Sequence, residues 1–272
     1  MNDAVLPHLR CPHCAAPLAT ADGGGQRMLR CPRGHNFDIA KQGYATLTAG
    51  RTPHVGDTVA MVADREAFLA AGHYAFIADA LAAAAAGADG LVLDAGTGTG
   101  YHLARVLDAS PAAVGLGLDV SKPALRRAAR AHPRAAAALA DIWRPLPVAD
   151  ASAVLVLDAF APRNGPEFRR VLRPDGALLV VTPAADHLSE LVDAFGLIHV
   201  DPDKGDRVAD RLGRHFVPER STAHRRRMRL SGAEVRTLVG MTPSARHVVL
   251  DDLAPGAGTV TAAVDLTVYR PA

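Results

Sequence analysis

LVLDAGTGTGYH, residues Leu91 to His102, is the stretch of sequence that decides the fold. Its apolar start predicts a buried strand that runs into Asp94, and Gly96, Gly98 and Gly100 then make a turn before an apolar helix. A side chain at such a turn would hold a nucleotide-like ligand away from the backbone N–H groups and the helix start. The stretch therefore predicts a cofactor-binding loop in an α/β fold.

The glycine spacing and the next acidic residue indicate which cofactor the loop binds. The loop reads D-x-G-x-G-x-G, and the following strand, Ala113 to Leu118, ends in Asp119, whose carboxylate can accept hydrogen bonds from two ribose hydroxyls. This pattern is typical of Rossmann-like S-adenosylmethionine-dependent methyltransferases. NAD is the main competitor, and a glycine-rich turn without a ligand is a third interpretation. NAD is disfavoured by the missing G-x-G-x-x-G spacing and by Asp141, which lies where these methyltransferases contact the adenine amine. The predicted cofactor contacts of this region are Asp94, Gly96, Thr97, Gly98, Thr99, Gly100, Asp119 and Asp141.

Length and composition limit the architecture. The chain has 272 residues, of which 49% are hydrophobic, so it can hold one α/β domain of about 200 residues and a small accessory unit. Its formal net charge is +2, so a polyanionic partner would have to meet a local basic patch. No apolar run approaches the roughly 20 residues that span a bilayer, and the N-terminus lacks a signal-peptide core. We therefore expect a cytoplasmic protein with no membrane partner.

A cysteine-rich segment precedes the cofactor loop. All three cysteines fall in the first 31 residues, an odd number that fits a disulfide framework badly. Cys11 and Cys14 form a C-x-x-C knuckle, and Cys31 with His35 forms a C-x-x-x-H knuckle, which together predict a tetrahedral structural zinc site. Free thiols in a loop are one alternative, and His13 in place of His35, which would strain the chelate, is another. The segment predicts a zinc ribbon that could not fold without its metal.

Two basic stretches outside the loop suit contact with RNA. In the first, Lys41 and Arg51 flank Tyr44, which fits phosphates and a stacked base, although a charged surface with a packed tyrosine fits equally well. The second stretch precedes a helix that begins with the capping box of Ser231 and Glu234, and a solvated strand face is its alternative interpretation. The arginines of the second stretch are Arg225, Arg226, Arg227 and Arg229.

Polar and aromatic side chains follow the predicted strands, where open α/β sheets bind their substrates. The fourth strand leads into Asp158 and Phe160, and the loop after the fifth strand carries His187. Before the first strand, Gly72 breaks a helical pattern and places Tyr74 at a joint between two helices. We expect a zinc-binding, RNA-recognition module over residues 1–47, a linker and N-terminal helix over 48–75, and a methyltransferase domain over 76–272.

A set of longer motifs, read together, is more specific than the glycine loop alone. They are LRCPHCAAPL, RCPRGHNFDIAKQGYATL, DTVAMVADREAFLAAGHY, LDAGTGTGYH, GLDVSKPALRRAARAHP, FAPRN, VTPAADHLSELVDAFG and a late MTP. Over nearly the full length this set resembles bacterial 23S ribosomal RNA guanine-N1 methyltransferases of the RlmA type, particularly their macrolide (tylosin) resistance branch. The resemblance implies zinc ligands at Cys11, Cys14, Cys31 and His35, and cofactor contacts at Tyr74, Gly98, Thr99 and His187. The chain departs from the family in a shortened stretch after Met241 and in Asp158.

The resemblance implies that guanine N1, in a hairpin loop of 23S rRNA, attacks the sulfonium methyl of S-adenosylmethionine. The enzyme would hold nucleophile and methyl collinear and about 3 Å apart, and macrolide resistance is one role that such methylation would allow. Guanine N1 carries a proton, so we predict Asp158 as its acceptor and Phe160 as a stacking platform for the extruded base. A small-molecule methyltransferase with a structural zinc ribbon and a non-catalytic zinc-ribbon RNA-binding protein are the alternatives. A homodimer is a further prediction, because related enzymes can pair to form an RNA-binding cleft.

Overall fold

The N-terminal part of the chain forms a small antiparallel sheet. The computed structural model describes residues 1–50, 53–195, 197, 212–247 and 256–272. A short 3-10 helix, Asp3–His8, precedes three strands, β1 (Ala19–Asp22), β2 (Arg27–Arg30) and β3 (Asn36–Asp38), which pair in the order β1-β2-β3. The two cysteine knuckles lie on either side of β1 and β2, which brings them together at one end of this sheet.

The rest of the chain is built on an eight-stranded sheet in the order β10-β11-β9-β8-β5-β6-β7-β4. Its strands are β4 (Ala45–Thr46), β5 (Leu91–Ala95), β6 (Val114–Asp119), β7 (Ala135–Leu139), β8 (Ala153–Ala159), β9 (Leu172–Pro183), β10 (Phe216–Leu230) and β11 (Gly258–Pro271). The strands from β4 to β9 pair in parallel, and β11 and β10 add antiparallel strands at one edge. The strand order reverses between β5 and β8, so a crevice opens at their carboxyl ends. The predicted Rossmann-like α/β fold is confirmed.

Helices cover the sheet, and several of them begin at residues whose side chains cap the first turn. They are α1 (Val59–Ala70), α2 (Ala75–Ala84), α3 (Tyr101–Ala109), α4 (Lys122–Ala128), α5 (Gly165–Val171), α6 (Ser189–Phe195) and α7 (Gly232–Gly240). Ser121 caps α4, and Ser231 with Glu234 forms the predicted capping box of α7. Gly72 has a φ of +81° and separates α1 from α2, as its position in the helical pattern predicts. Among the helices described, none alone is long and apolar enough to cross a membrane, and α1 with α2 reaches that length only as a pair bent by 78°.

The zinc ribbon and the large sheet share one hydrophobic core. Buried ribbon residues such as Leu29 and Phe37 belong to the same cluster as Leu93 of the central strand β5. A β-bridge joins Leu9 to Val148, and the last strand before residue 47, β4, pairs with β7. The predicted boundary at residue 47 therefore falls directly after an element of the large sheet, and the ribbon buries its apolar face against that sheet.

Tyr44 corrects one interpretation of the first basic stretch. Its side chain is buried against Leu125 and Leu139 on α4 and β7, so its ring cannot stack on an RNA base. The packed-tyrosine alternative is the correct one, because the start of β4 is drawn into the large sheet. Lys41 beside it is exposed, whereas Arg51 lies outside the described residues.

Candidate active site

A cleft of about 890 Å³ opens at the carboxyl ends of the central strands. Its wall combines the glycine loop after β5, the ends of β6, β7 and β8, and residues from α1 and the segment before it. The predicted site residues that line it are Tyr74, Gly96, Thr97, Gly98, Thr99, Asp119, Asp141, Phe160 and His187. The structure thus brings together residues that lie more than one hundred positions apart in the sequence.

Asp119 ties the glycine loop to the end of β6. Gly98 N donates a hydrogen bond to Asp119 Oδ2 at 2.9 Å, and Ser121 N donates to Oδ1 at 2.8 Å. Burial raises the pKa of this carboxyl, while the two backbone N–H groups oppose the rise. Each oxygen keeps a further lone pair, so the carboxylate can still accept from hydroxyl groups in the cleft.

The three glycines of the loop have different surroundings. A Cβ at Gly96 would lie 2.5 Å from the Ala161 methyl, and one at Gly100 would also meet packed neighbours. At Gly98, whose φ is +54°, the nearest atom to such a Cβ is Arg65 Cδ at 3.6 Å. Gly96 and Gly100 therefore allow close packing of the loop, whereas Gly98 keeps a surface open toward the cleft.

Asp94 lies behind the loop and does not line the cleft. Its side chain is buried, and Thr97 Oγ1 donates a hydrogen bond to its Oδ2 at 2.6 Å. Burial raises the pKa of Asp94 to about 7, the hydrogen bond from Thr97 lowers it, and the charge of Asp119 raises it further. Asp94 is thus placed to hold the shape of the loop, and the direct cofactor contact predicted for it is not found in this geometry.

Asp141 lies in the cleft wall just after β7. Its buried carboxylate accepts from Trp143 N at 3.0 Å, and His54 Nδ1 lies 2.8 Å from its Oδ2. His54 belongs to the segment of residues 53–58, here called the strap, which the sequence presents only as a Gly- and Pro-rich linker. The strap is held across the cleft by Ser121 Oγ, which donates to Asp57 O at 2.7 Å.

Arg65 and His102 are further cleft residues; both lie within motifs quoted above, but nothing in their local sequence marked them as site residues. Arg65 on α1 donates to Asp57 Oδ2 at 2.6 Å and to Met241 O at 3.0 Å, and its side chain passes beside Gly98. Burial lowers the pKa of His102 to about 4, and the charge of Arg65 lowers it further, so the imidazole is neutral at physiological pH. Periodicity places Arg65 on α1 and His102 on α3, but it does not show that the two helices bring these residues to the same cleft.

The rings of Tyr74, Phe160 and His187 form an aromatic corner in the wall of the cleft. Tyr74 Oη lies 3.3 Å from His187 Nε2, and His187 Nδ1 lies 2.9 Å from Ala263 O. The ring centroid of Phe160 is 6.4 Å from that of Tyr74 and 6.0 Å from that of His187. Phe160 has a φ of +58° and is 38% exposed, so an apolar ring is presented to the cleft from a strained backbone position. Such strain is concentrated at functional sites.

Asp158 is fully buried and forms an ion pair with Arg163, whose Nη2 lies 3.3 Å from its Oδ1. Arg163 lines the cleft, but Asp158 does not. In this arrangement the guanidinium separates the carboxylate from the cleft, so Asp158 cannot reach a proton on a ligand without leaving its partner. The geometry therefore argues against the direct proton-acceptor role predicted for Asp158.

The four predicted zinc ligands converge on one point. The ligand atoms of Cys11, Cys14, Cys31 and His35 all lie within 4.8 Å of one another. Cys14 Sγ and Cys31 Sγ are 3.8 Å apart, and His35 Nδ1 lies 3.5 Å from Cys11 Sγ and 3.3 Å from Cys31 Sγ. Zn–S bonds of about 2.3 Å at tetrahedral angles would place two sulfurs about 3.8 Å apart, so the donor set fits zinc. His13 packs its ring on His35 and Phe37 and is not part of the cluster.

The second basic stretch lies on β10, the outermost strand of the large sheet as described. Arg225 forms two hydrogen bonds with Asp186, at 3.1 and 3.2 Å, so its charge is already matched. The other arginines of the stretch, Arg226, Arg227 and Arg229, are exposed. A charged edge strand resists pairing with other strands, and the same charges suit phosphates.

The fold, the glycine loop and the Cys₃His cluster together define a class I S-adenosylmethionine-dependent methyltransferase with an N-terminal zinc ribbon. Two family profiles agree: the profile described as "RlmA, N-terminal" matches residues 9–48, and the profile "Methyltransferase domain" matches residues 92–176. One similar solved structure is a chain from the complex between the Haloferax volcanii Trm112 methyltransferase activator and a methyltransferase. It aligns with a TM-score of 0.55 at 17% sequence identity, and the alignment covers 80% of this chain and 98% of that one. This likeness supports the fold alone.

Sequence relatives narrow the class to one family. A Micromonospora griseorubida protein described as a 23S rRNA (guanine-N(1)-)-methyltransferase is 60% identical over 294 aligned residues, which cover 100% of both chains. The 23S rRNA (guanine(748)-N(1))-methyltransferase of Streptomyces fradiae is 50% identical, with 100% of this chain and 99% of the relative covered. The chain belongs to the family of 23S rRNA (guanine-N(1))-methyltransferases.

Proposed function

We propose that this enzyme methylates N1 of a guanine in a hairpin loop of 23S rRNA, at the position equivalent to guanine 748 in the name of the Streptomyces fradiae relative. The observation that carries the proposal is the full-length identity of 50% to that relative. The cleft supports it independently, because the exposed aromatic ring of Phe160 and the glycine loop line one continuous cavity. Macrolide resistance is the biological role that we propose for the modification.

The glycine loop and three strand ends would hold the cofactor. Asp119 would accept hydrogen bonds from the ribose hydroxyls, and Asp141 would accept from the adenine amine in place of His54. Gly98 and Thr99 would contact the methionine portion, where Arg65 offers a cation to its carboxylate. Gly96, Thr97 and Gly100 would shape this surface, with Asp94 supporting it from behind.

The chain's own contribution to the reaction is mainly positioning. When bound, S-adenosylmethionine supplies a methyl group already activated by its sulfonium. Phe160 would stack on the extruded guanine, and Tyr74 and His187 would close the corner around it. Holding two reacting groups in line in this way is worth several kcal/mol of the activation barrier. Asp158 would act indirectly, by holding Arg163 at the cleft wall.

RNA would be bound outside the cleft as well. The exposed arginines of β10 and Lys41 of the ribbon are suited to phosphates, and Arg51 is predicted to join them. Recognition of the hairpin by the ribbon, over residues 1–47, stays part of the proposal, as does a homodimer that pairs two such surfaces. Measurement of the mass in solution, with and without the hairpin, tests the dimer.

Methylation of a synthetic hairpin tests the proposed reaction. We expect mass spectrometry of the digested RNA to find one N1-methylguanosine per hairpin, formed only with S-adenosylmethionine, and none when the target guanine is replaced by adenine. A product methylated at another atom would contradict the proposal. Activity on small molecules with none on the hairpin would favour the small-molecule alternative. In cells, deletion of the gene should remove the same modification from 23S rRNA and lower macrolide tolerance.

Phe160→Gly isolates the role of the ring. Glycine relieves the left-handed backbone strain, by roughly 1 kcal/mol, while it removes the stacking surface. Loss of the partly buried ring offsets that gain, so the variant should fold and bind S-adenosylmethionine normally, yet methylate the hairpin more slowly. A variant with unchanged methylation would show that the base stacks elsewhere.

A further inference from the structure

Two donor atoms of the Arg163 guanidinium have no hydrogen-bond acceptor among the residues that the structure describes. Its side chain is 9% exposed and lines the cleft three residues after Phe160. Among the described residues, Nε and Nη2 of Arg163 have no hydrogen-bond partner, although Nη2 lies 3.3 Å from Asp158 Oδ1. A buried donor without an acceptor costs folding free energy, so each one requires an explanation. An acceptor on a ligand in the cleft would supply it.

The position of Arg163 favours the substrate over the cofactor as the source of that acceptor. Arg163 follows β8, on the same loop as Phe160, whereas the glycine loop and Asp119 follow β5 and β6. On the glycine-loop side, Arg65 already passes 3.6 Å from the position of a Cβ at Gly98, where it can meet a carboxylate.

We propose that Arg163 donates a hydrogen bond to O6 of the target guanine and stabilises the base after N1 has lost its proton. The inference rests on the proposed function and extends it to the recognition of a 6-oxopurine. Breaking the N1–H bond leaves the electron pair on the ring, shared between N1 and O6, and the proton passes to water. The negative charge that reaches O6 would then face the guanidinium. Asp158 is the positioning residue of this arrangement, because its ion pair fixes Arg163 at the cleft wall.

The same contact would select the base. Guanidinium has donors only, and position 6 of adenine carries an amino group, which is also a donor there. A buried Arg163 would therefore be left unsatisfied against adenine and satisfied against guanine or inosine. Sites that hydrogen-bond a substrate atom discriminate strongly against analogues that lack it.

The pH dependence of the rate gives the decisive measurement. An opposite charge within about 4–6 Å shifts a pKa by roughly 1–3 units, so Arg163 should lower the pKa of guanine N1 in the complex by that amount. The groups that face Arg163 are Asp158 and Tyr269. The other charged or titratable side chains lining the cleft are His54, Asp57, Arg65, Tyr74, Tyr101, His102, Asp119, Asp141 and His187.

Single-turnover methylation of the hairpin is measured against pH for four forms of the full-length enzyme. Arg163→Gln should move the midpoint of the rate profile upward by about 1–3 units, which lowers the rate about tenfold to a thousandfold at neutral pH and restores it at high pH. Arg163→Lys should lie between Arg163→Gln and the wild type. Arg173→Gln is the control, since Arg173 is 45% exposed and pairs with Asp175. If Arg163→Gln does not fold, Asp158→Asn with Arg163→Gln removes both charges together.

Three results would overturn the inference, and each has a different meaning. A rate lowered equally at every pH would assign Arg163 a structural role. Weakened S-adenosylmethionine binding in calorimetry, with an unshifted profile, would make it a cofactor anchor. Failure of the wild-type enzyme to methylate guanine N1 would remove the proposed function itself, and with it the inference.

Discussion

Replacement of Gly98 by alanine tests whether this residue contacts the ligand, because the change should affect cofactor affinity more than the stability of the fold. The new methyl group would point toward the cleft, where its nearest neighbour is Arg65 Cδ at 3.6 Å, an ordinary van der Waals contact. The backbone at φ +54° makes any side chain strained, at a cost of roughly 1–2 kcal/mol. A strain of that size lowers the melting temperature by about 2–8 °C, so the variant should fold.

The cofactor affinity should fall far more than the stability. A methyl group on the open surface of the loop would keep the ligand from the backbone, and we expect at least a tenfold loss, or about 1.4 kcal/mol. Gly98→Val should cost a hundredfold or more, about 2.8 kcal/mol, because its branched side chain also fills the space beside Arg65.

Gly87→Ala provides the matched control. Gly87 has a φ of +81°, a Cβ added there would have no neighbouring atom within 4 Å, and the residue lies after α2, away from the cleft-lining residues. Differential scanning calorimetry should give both alanine variants similar melting temperatures. Titration calorimetry should then show weakened S-adenosylmethionine binding in Gly98→Ala alone. Equal affinities in the two variants would refute the assignment of Gly98 as a ligand surface.

Three further predictions test the ribbon, the basic strand and the buried carboxyl. Cys31→Ser should lose zinc, measured by atomic absorption. It should also lower the melting temperature of the whole protein, because Cys31 packs in the core shared with the large sheet. Melting of the ribbon alone would show that the ribbon and the sheet unfold independently. Replacing Arg226, Arg227 and Arg229 with alanine should flatten the slope of log affinity for the hairpin against log salt concentration by about 2–3 units and leave cofactor affinity unchanged. An unaltered slope would mean that these arginines are solvated and do not contact phosphates. Folded Asp94 keeps its proton up to about pH 7, whereas the unfolded chain releases it near its ordinary value of 3.8. The stability of the wild type relative to Asp94→Asn should therefore be greatest below about pH 4 and decline in denaturant titrations as the pH rises from about 4 to 7; a constant difference would contradict the raised pKa.

Sequence periodicity and residue spacing predicted the structural features that neighbouring residues in the chain determine. The β5 strand, the glycine loop, the capping box of α7 and the Cys₃His cluster all depend on residues close together in the chain, and each was found as predicted. Packing between elements that are far apart in the sequence could not be predicted in the same way. Tyr44 is buried because β4 joins the large sheet, a pairing that two residues cannot signal.

The same limit applies within the site. Asp158 was recognised as a strand-end carboxylate, but its burial against Arg163 depends on how the following loop turns back. His54 and Arg65 reach the cleft only because the strap and α1 fold over it. Spacing therefore predicted the glycine loop and the strand-end side chains of the cleft, while the cleft residues of the strap and α1 required coordinates.

The shared core of ribbon and sheet links the enzyme to the zinc supply of its cell. A metal that binds only the folded chain stabilises it in proportion to the logarithm of the free metal concentration. Because Cys11 and Cys31 pack in the same core as the strand that begins the cofactor loop, zinc starvation would raise the unfolded fraction of the entire molecule. Unfolded chains are removed by proteases, so ribosomes assembled under starvation would carry fewer methyl groups although zinc takes no part in the chemistry. The extent of rRNA modification would then report the metal status of the cell.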